Sequence, residues 1–137
     1  MPSLYTYYLF ISHSWAYHQD YYNLVRMLAS AQNFRYRNYS VPSHDGFDED
    51  DDEVLAQALR NQMRPAQVFI IIAGMYAHHR RWIQFEIAYA QRNDKPMVII
   101  RPWGQERVPV QLQDIAGATW TNWNTNSIVS AIRTAAR

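Results

Sequence analysis

Trp82 and Glu86 lie four residues apart, a spacing that places both side chains on one face of a helix. They follow the continuously apolar run at residues 68–73, which is typical of a buried strand. A helix that begins directly after a central strand has its first turns at the strand's carboxyl end, where an α/β sheet binds its ligands. The spacing therefore predicts a site with Trp82 on its wall and Glu86 as the acid that carries its chemistry. A solvated Glu86 beside a core Trp82 is the alternative interpretation.

A second polar cluster, formed by Ser12, His13 and Ser14, follows the β-rich residues 5–11. A serine nucleophile activated by His13 would need an acid to orient the imidazole, and the sequence places none there. The two serines are typical of turn formation and helix capping, with hydrogen bonding to a ligand as the functional alternative. His13 is interpreted as a polar residue at the rim of the site.

No metal site is predicted. His78 and His79 are adjacent, so on a helix their side chains would diverge by about 100° and could not bind one ion together. The acidic run at residues 48–53 lacks the ligand spacing and the glycine of a calcium loop, whereas acids are favourable at helix N-termini. That run is interpreted as a solvated charge cluster that begins a helix.

The composition limits the class of protein. With 137 residues, 48% of them hydrophobic, the chain is long enough for a single domain over residues 1–137 with a substantial core. It contains no cysteine, which excludes disulfides, thiolate nucleophiles and cysteine-ligated zinc. A net charge of +1 does not favour nucleic acid, and no stretch has the ~20 apolar residues of a membrane span. A soluble, cytoplasmic protein is therefore expected.

Strand and helix patterns alternate along the chain. Strands are predicted at residues 5–11, 35–41, 68–73, 97–100 and 118–123, and helices at 20–31, 54–63 and 80–92, around 111–115, and from 126 onward. This alternation predicts an α/β, flavodoxin-like, doubly wound domain with a five-stranded parallel sheet in the order 2-1-3-4-5. Ligands bind such a sheet next to strand one, which places at the mouth of the site Phe10, Ser12, His13, Ser14 and Trp15.

The sequence Phe-Ile-Ser-His-Ser at residues 10–14, taken together with Trp82 and Glu86, resembles the TIR family. In that family the first strand often ends in a Phe-Ile-Ser-x-Ser-like turn and the third helix carries Trp-x-x-x-Glu. The resemblance extends over nearly the whole chain in the order of its elements, and the loop at residues 42–52 corresponds to the variable BB loop. The chain is most similar to the shorter bacterial TIR-like proteins, including the TIR component of the Thoeris anti-phage system.

This resemblance implies cleavage of the bond between nicotinamide and ribose in NAD, with NAD as the substrate and no cofactor. Glu86 is the implied catalytic residue, because a carboxylate stabilises an oxocarbenium-like transition state and can hold the ribose hydroxyls. We expect Glu86 to be partly buried, so that Glu86→Gln would change the stability by about 1 kcal/mol or less. The implied substrate contacts are Phe10, Ser12, His13, Ser14, Trp15, Arg81 and Trp82.

The resemblance also implies partners. The BB loop at residues 42–52 is expected to mediate self-association, because its acidic tip would bind the Arg-rich surface of another copy. An ADP-ribose-derived product would act on a downstream effector in anti-phage defence. Neither a membrane nor a nucleic acid is expected as a partner.

Two other functions remain open. A TIR-like interaction module would signal by binding other TIR surfaces, and such modules can keep the Trp and lose the Glu, so the presence of Glu86 favours the enzyme. A nucleoside deoxyribosyltransferase has a similar fold and also uses one Glu on a glycosidic bond. Receiver domains and flavodoxins are excluded, because the chain lacks the receiver acids and has no glycine in the turn after strand one.

Overall fold

The computed structural model describes residues 5–12, 18–39, 52–73, 80–101, 115 and 117–136, with the backbone alone at 18, 52–55 and 80–82. The strands are β1 (Thr6–Ile11), β2 (Arg35–Asn38), β3 (Val68–Ile72), β4 (Met97–Ile100) and β5 (Thr119–Thr121). The helices are α1 (His18–Ser30), α2 (Asp52–Met63), α3 (Arg80–Arg92) and α4 (Thr125–Ala135). Within these ranges no helix is both long enough and apolar enough to span a membrane.

The five strands form one parallel sheet in the order β2-β1-β3-β4-β5, which confirms the predicted fold class and strand order. β1 lies between two partners, since Leu9 pairs with Asn38 of β2 on one side and with Val68 of β3 on the other. The connection after β1 leads to β2 on one side of it, whereas the connection after β3 leads to β4 on the other side of the sheet. The switch point of this topology, where ligands bind, therefore lies at the carboxyl ends of β1 and β3.

The two central strands explain why the sheet folds in this way. Every residue of β3 and of β4 is buried, as their continuously apolar sequences predict for strands covered on both faces. α1 contacts α4, and the Arg60 guanidinium of α2 lies 5.5 Å from the ring centroid of Phe85 in α3. The helices thus form two pairs, which right-handed crossovers place on opposite faces of the sheet. These two helical layers hold α3 rigidly beside the switch point.

The two edge strands are shorter than the sequence predicts. β2 ends at residue 38 rather than 41, and β5 covers residues 119–121 rather than 118–123. Each of these strands has one neighbour in the sheet instead of two. An edge strand therefore has hydrogen bonds on one side only, and its ends are less strongly held than those of a central strand.

The last helix begins one residue earlier than predicted because of its cap. Asn124 is the N-cap of α4, and its side-chain oxygen accepts a hydrogen bond from the Ser127 N–H at 3.0 Å. The apolar period alone predicts a start at residue 126, whereas the cap sets it at Thr125. The helix predicted around residues 111–115 lies outside the described residues except for residue 115.

Candidate active site

Glu86 lies on the buried face of α3. It shares that face with Ile83, Ile87 and Ala90, which follow the spacing of an apolar helical stripe and are all buried. The Glu86 side chain is itself 5% exposed, so an acid occupies a position that this pattern assigns to an apolar residue. The expectation of a partly buried carboxylate is therefore wrong in degree, because the helix turns Glu86 into the core. A buried acid in such a position is typical of a functional site.

Ser12 follows the last residue of β1 at the carboxyl edge of the sheet. Its backbone N–H donates to the Ile70 carbonyl oxygen of β3 at 2.9 Å, which attaches it to the neighbouring strand. Its side chain is 1% exposed, and its hydroxyl has no hydrogen-bond partner among the described residues. The sheet therefore delivers a buried hydroxyl to the switch point on a rigid backbone.

The Ser12 hydroxyl and the Glu86 carboxyl act on one another. Burial raises the pKa of Glu86 from 4.5 to about 7, while the nearby Ser12 hydroxyl has the smaller, opposite effect of lowering that pKa. Their contact falls short of a full hydrogen bond, since Ser12 Oγ and Glu86 Oε2 both lack a partner within the described part of the chain. A buried polar atom without a partner costs ~1–3 kcal/mol. Two such atoms at one place indicate a site that a ligand completes.

Phe10 supports this site from within the core. Its ring is 1% exposed and stacks on Phe69 of β3, with the centroids 5.2 Å apart and the planes at 29°. Phe69 in turn stacks on Tyr89 of α3 at 6.1 Å and 17°. The three rings connect β1, β3 and α3 beneath the site. Phe10 therefore packs against other aromatic rings, and its predicted contact with a ligand stays a prediction.

The other predicted contacts lie partly or wholly outside the described structure. Outside it are His13, Ser14, Trp15 and residues 42–51 of the predicted association loop. The backbone of Arg81 and Trp82 lies in the first turn of α3, so Trp82 and Glu86 share a helix as their spacing predicts. Their roles as substrate contacts remain predictions.

Sequence reasoning missed a polar group at the carboxyl ends of β4 and β5. Arg101 directly follows β4, and its backbone N–H donates to the Thr121 carbonyl at 2.8 Å. Its guanidinium donates to Asn122 Oδ1 at 3.4 Å and lies 5.6 Å from the centroid of the Trp120 ring. A cation directly after a doubly buried strand was the available signal. Arg101 is a candidate for binding an anionic part of a ligand that extends along this edge of the sheet.

Three grooves bounded by described residues lie away from Glu86. One lies between α1 and α4, with Ser30 and Arg133 on its walls, and the other two lie beside β5 and next to the carboxyl end of α3. The segments that follow β1 and β3 in sequence, residues 13–17 and 74–79, are outside the described residues. Ser12 and Glu86 belong to the described residues. Nowhere among them do three or more His, Asp or Glu side chains form a group that could hold a metal ion.

The candidate site falls inside a segment that matches a known protein family. The family described as Thoeris protein ThsB, TIR-like domain, matches residues 10–107. That segment is more than half of the chain, and it contains Phe10, Ser12, Trp82 and Glu86. None of the curated proteins compared with the chain matches it.

Proposed function

The chain belongs to the TIR-like domain family of the Thoeris protein ThsB, and from this premise we propose that it cleaves the nicotinamide–ribose bond of NAD. Family membership makes it a defence-related TIR-like protein. The observation that carries the enzymatic proposal is the burial of one acid, Glu86, at the switch point of the sheet beside the Ser12 hydroxyl. The product is an ADP-ribose-derived signal that acts on a downstream effector in anti-phage defence.

The chemistry of NAD suits a site with a single carboxylate. The nicotinamide ring of NAD is a cationic pyridinium, so when the bond to ribose C1′ breaks, the ring nitrogen keeps the electron pair and nicotinamide leaves as a neutral molecule. The leaving group needs no proton from a general acid. Positive charge develops on the ribose in the transition state, and the Glu86 carboxylate stabilises it. Water or another nucleophile then captures C1′ and releases a proton to solvent.

The burial of Glu86 strengthens this effect. In a low-dielectric site the attraction between a carboxylate and a developing cation is several times stronger than in water. Burial has the opposite effect on the empty site, because it destabilises the charged carboxylate and raises the pKa of Glu86 to about 7. The cationic substrate relieves that destabilisation, so NAD binding favours the ionised form of Glu86. The site thus gains its charge when the substrate is present.

The rate of NAD cleavage is expected to depend on pH. The ionised carboxylate is the active form, so kcat/KM should rise as pH increases through the pKa of Glu86 in the free protein, about 7. It should fall about fivefold from pH 7 to pH 6 and level off above about pH 8. Initial rates at low NAD and constant ionic strength test this, with circular dichroism as a control for folding. A flat profile across this range would show that Glu86 does not change its protonation state between pH 6 and pH 8, which contradicts a pKa of about 7 for this group.

The proposed function is tested by incubating the purified protein at high concentration with NAD and separating the products by chromatography. Release of nicotinamide together with an ADP-ribose-derived product is the expected result. Asp94→Asn is a matched control, because Asp94 is an exposed acid with a positive φ of 55°, a conformation that Asn also tolerates. This control loses one negative charge outside the site and should retain activity.

Two outcomes would replace the proposal. Intact NAD after incubation with phage-activated cell extract, with signalling nevertheless present in the cell, would favour the TIR-like interaction module. Cleavage of deoxynucleosides but not of NAD would favour the nucleoside deoxyribosyltransferase, which also acts on a glycosidic bond with one Glu. Chromatography of both substrates in parallel distinguishes these cases.

Self-association through residues 42–52 is a second part of the proposal. That loop belongs to an acidic stretch of the sequence, and the edge strand β2 presents two exposed cations, Arg35 and Arg37. Opposite charges on two surfaces of one chain favour contact between copies, and salt screens such contacts. We therefore expect light scattering to show assemblies at low salt in the presence of NAD and an activator, with fewer assemblies at high salt. A strict monomer under all these conditions would contradict this part.

A further inference from the structure

Ser12, which follows β1, and Glu86, on the buried face of α3, each have a buried oxygen without a hydrogen-bond partner in the described residues. The Ser12 hydroxyl is near enough to the Glu86 carboxyl to affect its pKa. We propose that Ser12 is a positioning residue for Glu86. The Ser12 hydroxyl donates a hydrogen bond to the Glu86 carboxylate when that carboxylate is ionised. The inference rests on the proposed NAD cleavage, since it assigns to Ser12 the orientation of the charge that this reaction uses. It differs from a direct contact between Ser12 and the substrate.

Both residues are held by rigid elements, which suits a positioning role. The Ser12 backbone N–H donates a hydrogen bond to the Ile70 carbonyl oxygen in the fully buried β3. The preceding residue, Ile11, pairs with Ile70 in the sheet. Glu86 is held by the packing of Ile83 and Ile87 on the buried face of α3. A hydroxyl can rotate about its Cβ–Oγ bond to meet an ionised carboxylate without any movement of the backbone. The pair can therefore respond to ionisation at little conformational cost.

No other described side chain supplies this hydrogen bond. β3 and β4 contain no ionisable residue, and the Arg60 guanidinium of α2 lies over the Phe85 ring. On α3 itself, the Tyr89 ring stacks on Phe69 in the core. Within the described residues, the Ser12 hydroxyl is the one side-chain group that acts on the pKa of Glu86, and it lowers that pKa. A donor to the charged form has that sign.

The test compares three variants of the full chain. Ser12→Ala removes the hydroxyl, and Ser12→Thr keeps it and serves as the rescue. Thr121→Val is the matched control, since Thr121 is a buried hydroxyl residue at the end of β5, two strands beyond β3. The ionisation of Glu86 is followed by the infrared carboxyl band that disappears in Glu86→Gln. Steady-state kinetics with NAD supply kcat and KM.

In Ser12→Ala we expect the pKa of Glu86 to rise above its value in the native protein, and kcat to fall on the order of tenfold with little change in KM. Ser12→Thr should restore both, and Thr121→Val should leave the carboxyl titration unchanged. An unaltered titration of Glu86 in Ser12→Ala would overturn the proposal. So would a raised KM with unchanged kcat, which would make Ser12 a substrate contact.

The infrared titration separates this proposal from the proposed function. If the chain does not cleave NAD, the Ser12→Ala shift in the Glu86 titration still reports whether the two side chains are coupled. A shifted titration without NAD cleavage would refute the enzyme and keep the coupling of Ser12 to Glu86. A normal titration with intact NAD cleavage would refute the positioning role alone. Should Ser12→Ala unfold, the same titration in Ser12→Thr and Ser12→Cys gives the comparison, since a thiol is a weaker donor than a hydroxyl.

Discussion

Replacing Glu86 by glutamine is expected to lower the rate of NAD cleavage by ~10²–10³-fold, as is typical when one electrostatic stabiliser is lost. Glutamine has nearly the same size and hydrogen-bonding reach as glutamate, so the variant tests the charge alone. The expected size of the effect follows from burial, because the 5% exposed carboxylate acts without screening by bulk water. The rate is measured in single turnovers with NAD, so that product release does not hide the chemical step.

The control for Glu86→Gln is a variant that loses one negative charge outside the site. Asp94→Asn removes the same unit of charge from an exposed turn after α3 and should change the rate little. In the cell, Glu86→Gln should abolish signalling together with NAD consumption. Full defence activity in a well-folded Glu86→Gln variant would show that the protein acts by binding partners. The interaction module would then be the better account.

The centre of the fold was predictable because its sequence is unambiguous. β3 and β4 are continuously apolar, and the only common way to bury both faces of such strands is a parallel sheet between two layers of helices. The edge strands were predicted less well. Their length depends on how far one neighbour's hydrogen bonds extend, and the composition of residues 35–41 and 118–123 does not encode that limit.

The candidate site was predictable in its position but not in its environment. The spacing of Trp82 and Glu86 placed an acid at the switch point, and α3 carries that acid in its second turn. The pairing of Glu86 with Trp82 does not include a second pattern, the apolar spacing of Ile83, Ile87 and Ala90. These three residues are buried, and Glu86 lies on the same buried face of α3. That second pattern determines the depth of burial, and the depth of burial determines the pKa. A spacing argument that follows one pair of residues cannot supply it.

Ser12 illustrates a different limit. The sequence places it at the end of a strand, where turn formation and ligand binding were both reasonable interpretations. Glu86 lies 74 residues after Ser12 in the chain, and their proximity depends on the packing of α3 and on the pairing of β1 with β3, whose paired residues are 59 apart in sequence. Local periodicity carries no information on such distant contacts. The coupling of the two side chains therefore emerges only from the three-dimensional fold.

The second large effect concerns stability, and its sign is the reverse of an ordinary core substitution. The quantity of interest is the free energy of unfolding of Glu86→Gln minus that of the native protein. We expect this difference to be larger at pH 8 than at pH 4 by up to about 3 kcal/mol, in favour of the variant. This corrects the expectation, drawn from a partly exposed Glu86, that the substitution changes stability by about 1 kcal/mol or less. The acid at the site therefore lowers the stability of the empty protein, as functional residues often do.

The sign follows from the two pKa values. The folded protein holds the pKa of Glu86 at about 7, above its ordinary value of 4.5. Below pH 4.5 the carboxyl is neutral in both the folded and unfolded states, so it imposes no penalty. As pH rises from 4.5 to 7 the unfolded state loses the proton first, which favours unfolding by ~1.4 kcal/mol per pH unit. Above pH 7 both states are ionised and the penalty stays constant, whereas glutamine never incurs it.

Urea unfolding of the native chain and Glu86→Gln at pH 4 and pH 8 measures this directly, because every other titrating group cancels in the difference between the two proteins. Asp94→Asn is again the control and should show no such gain at pH 8. A stability difference that is the same at both pH values would mean that Glu86 ionises as freely in the folded chain as in the unfolded one. In that case the pKa of Glu86 in the folded protein would not be raised, and the expected change in the rate of catalysis around pH 7 would not stand.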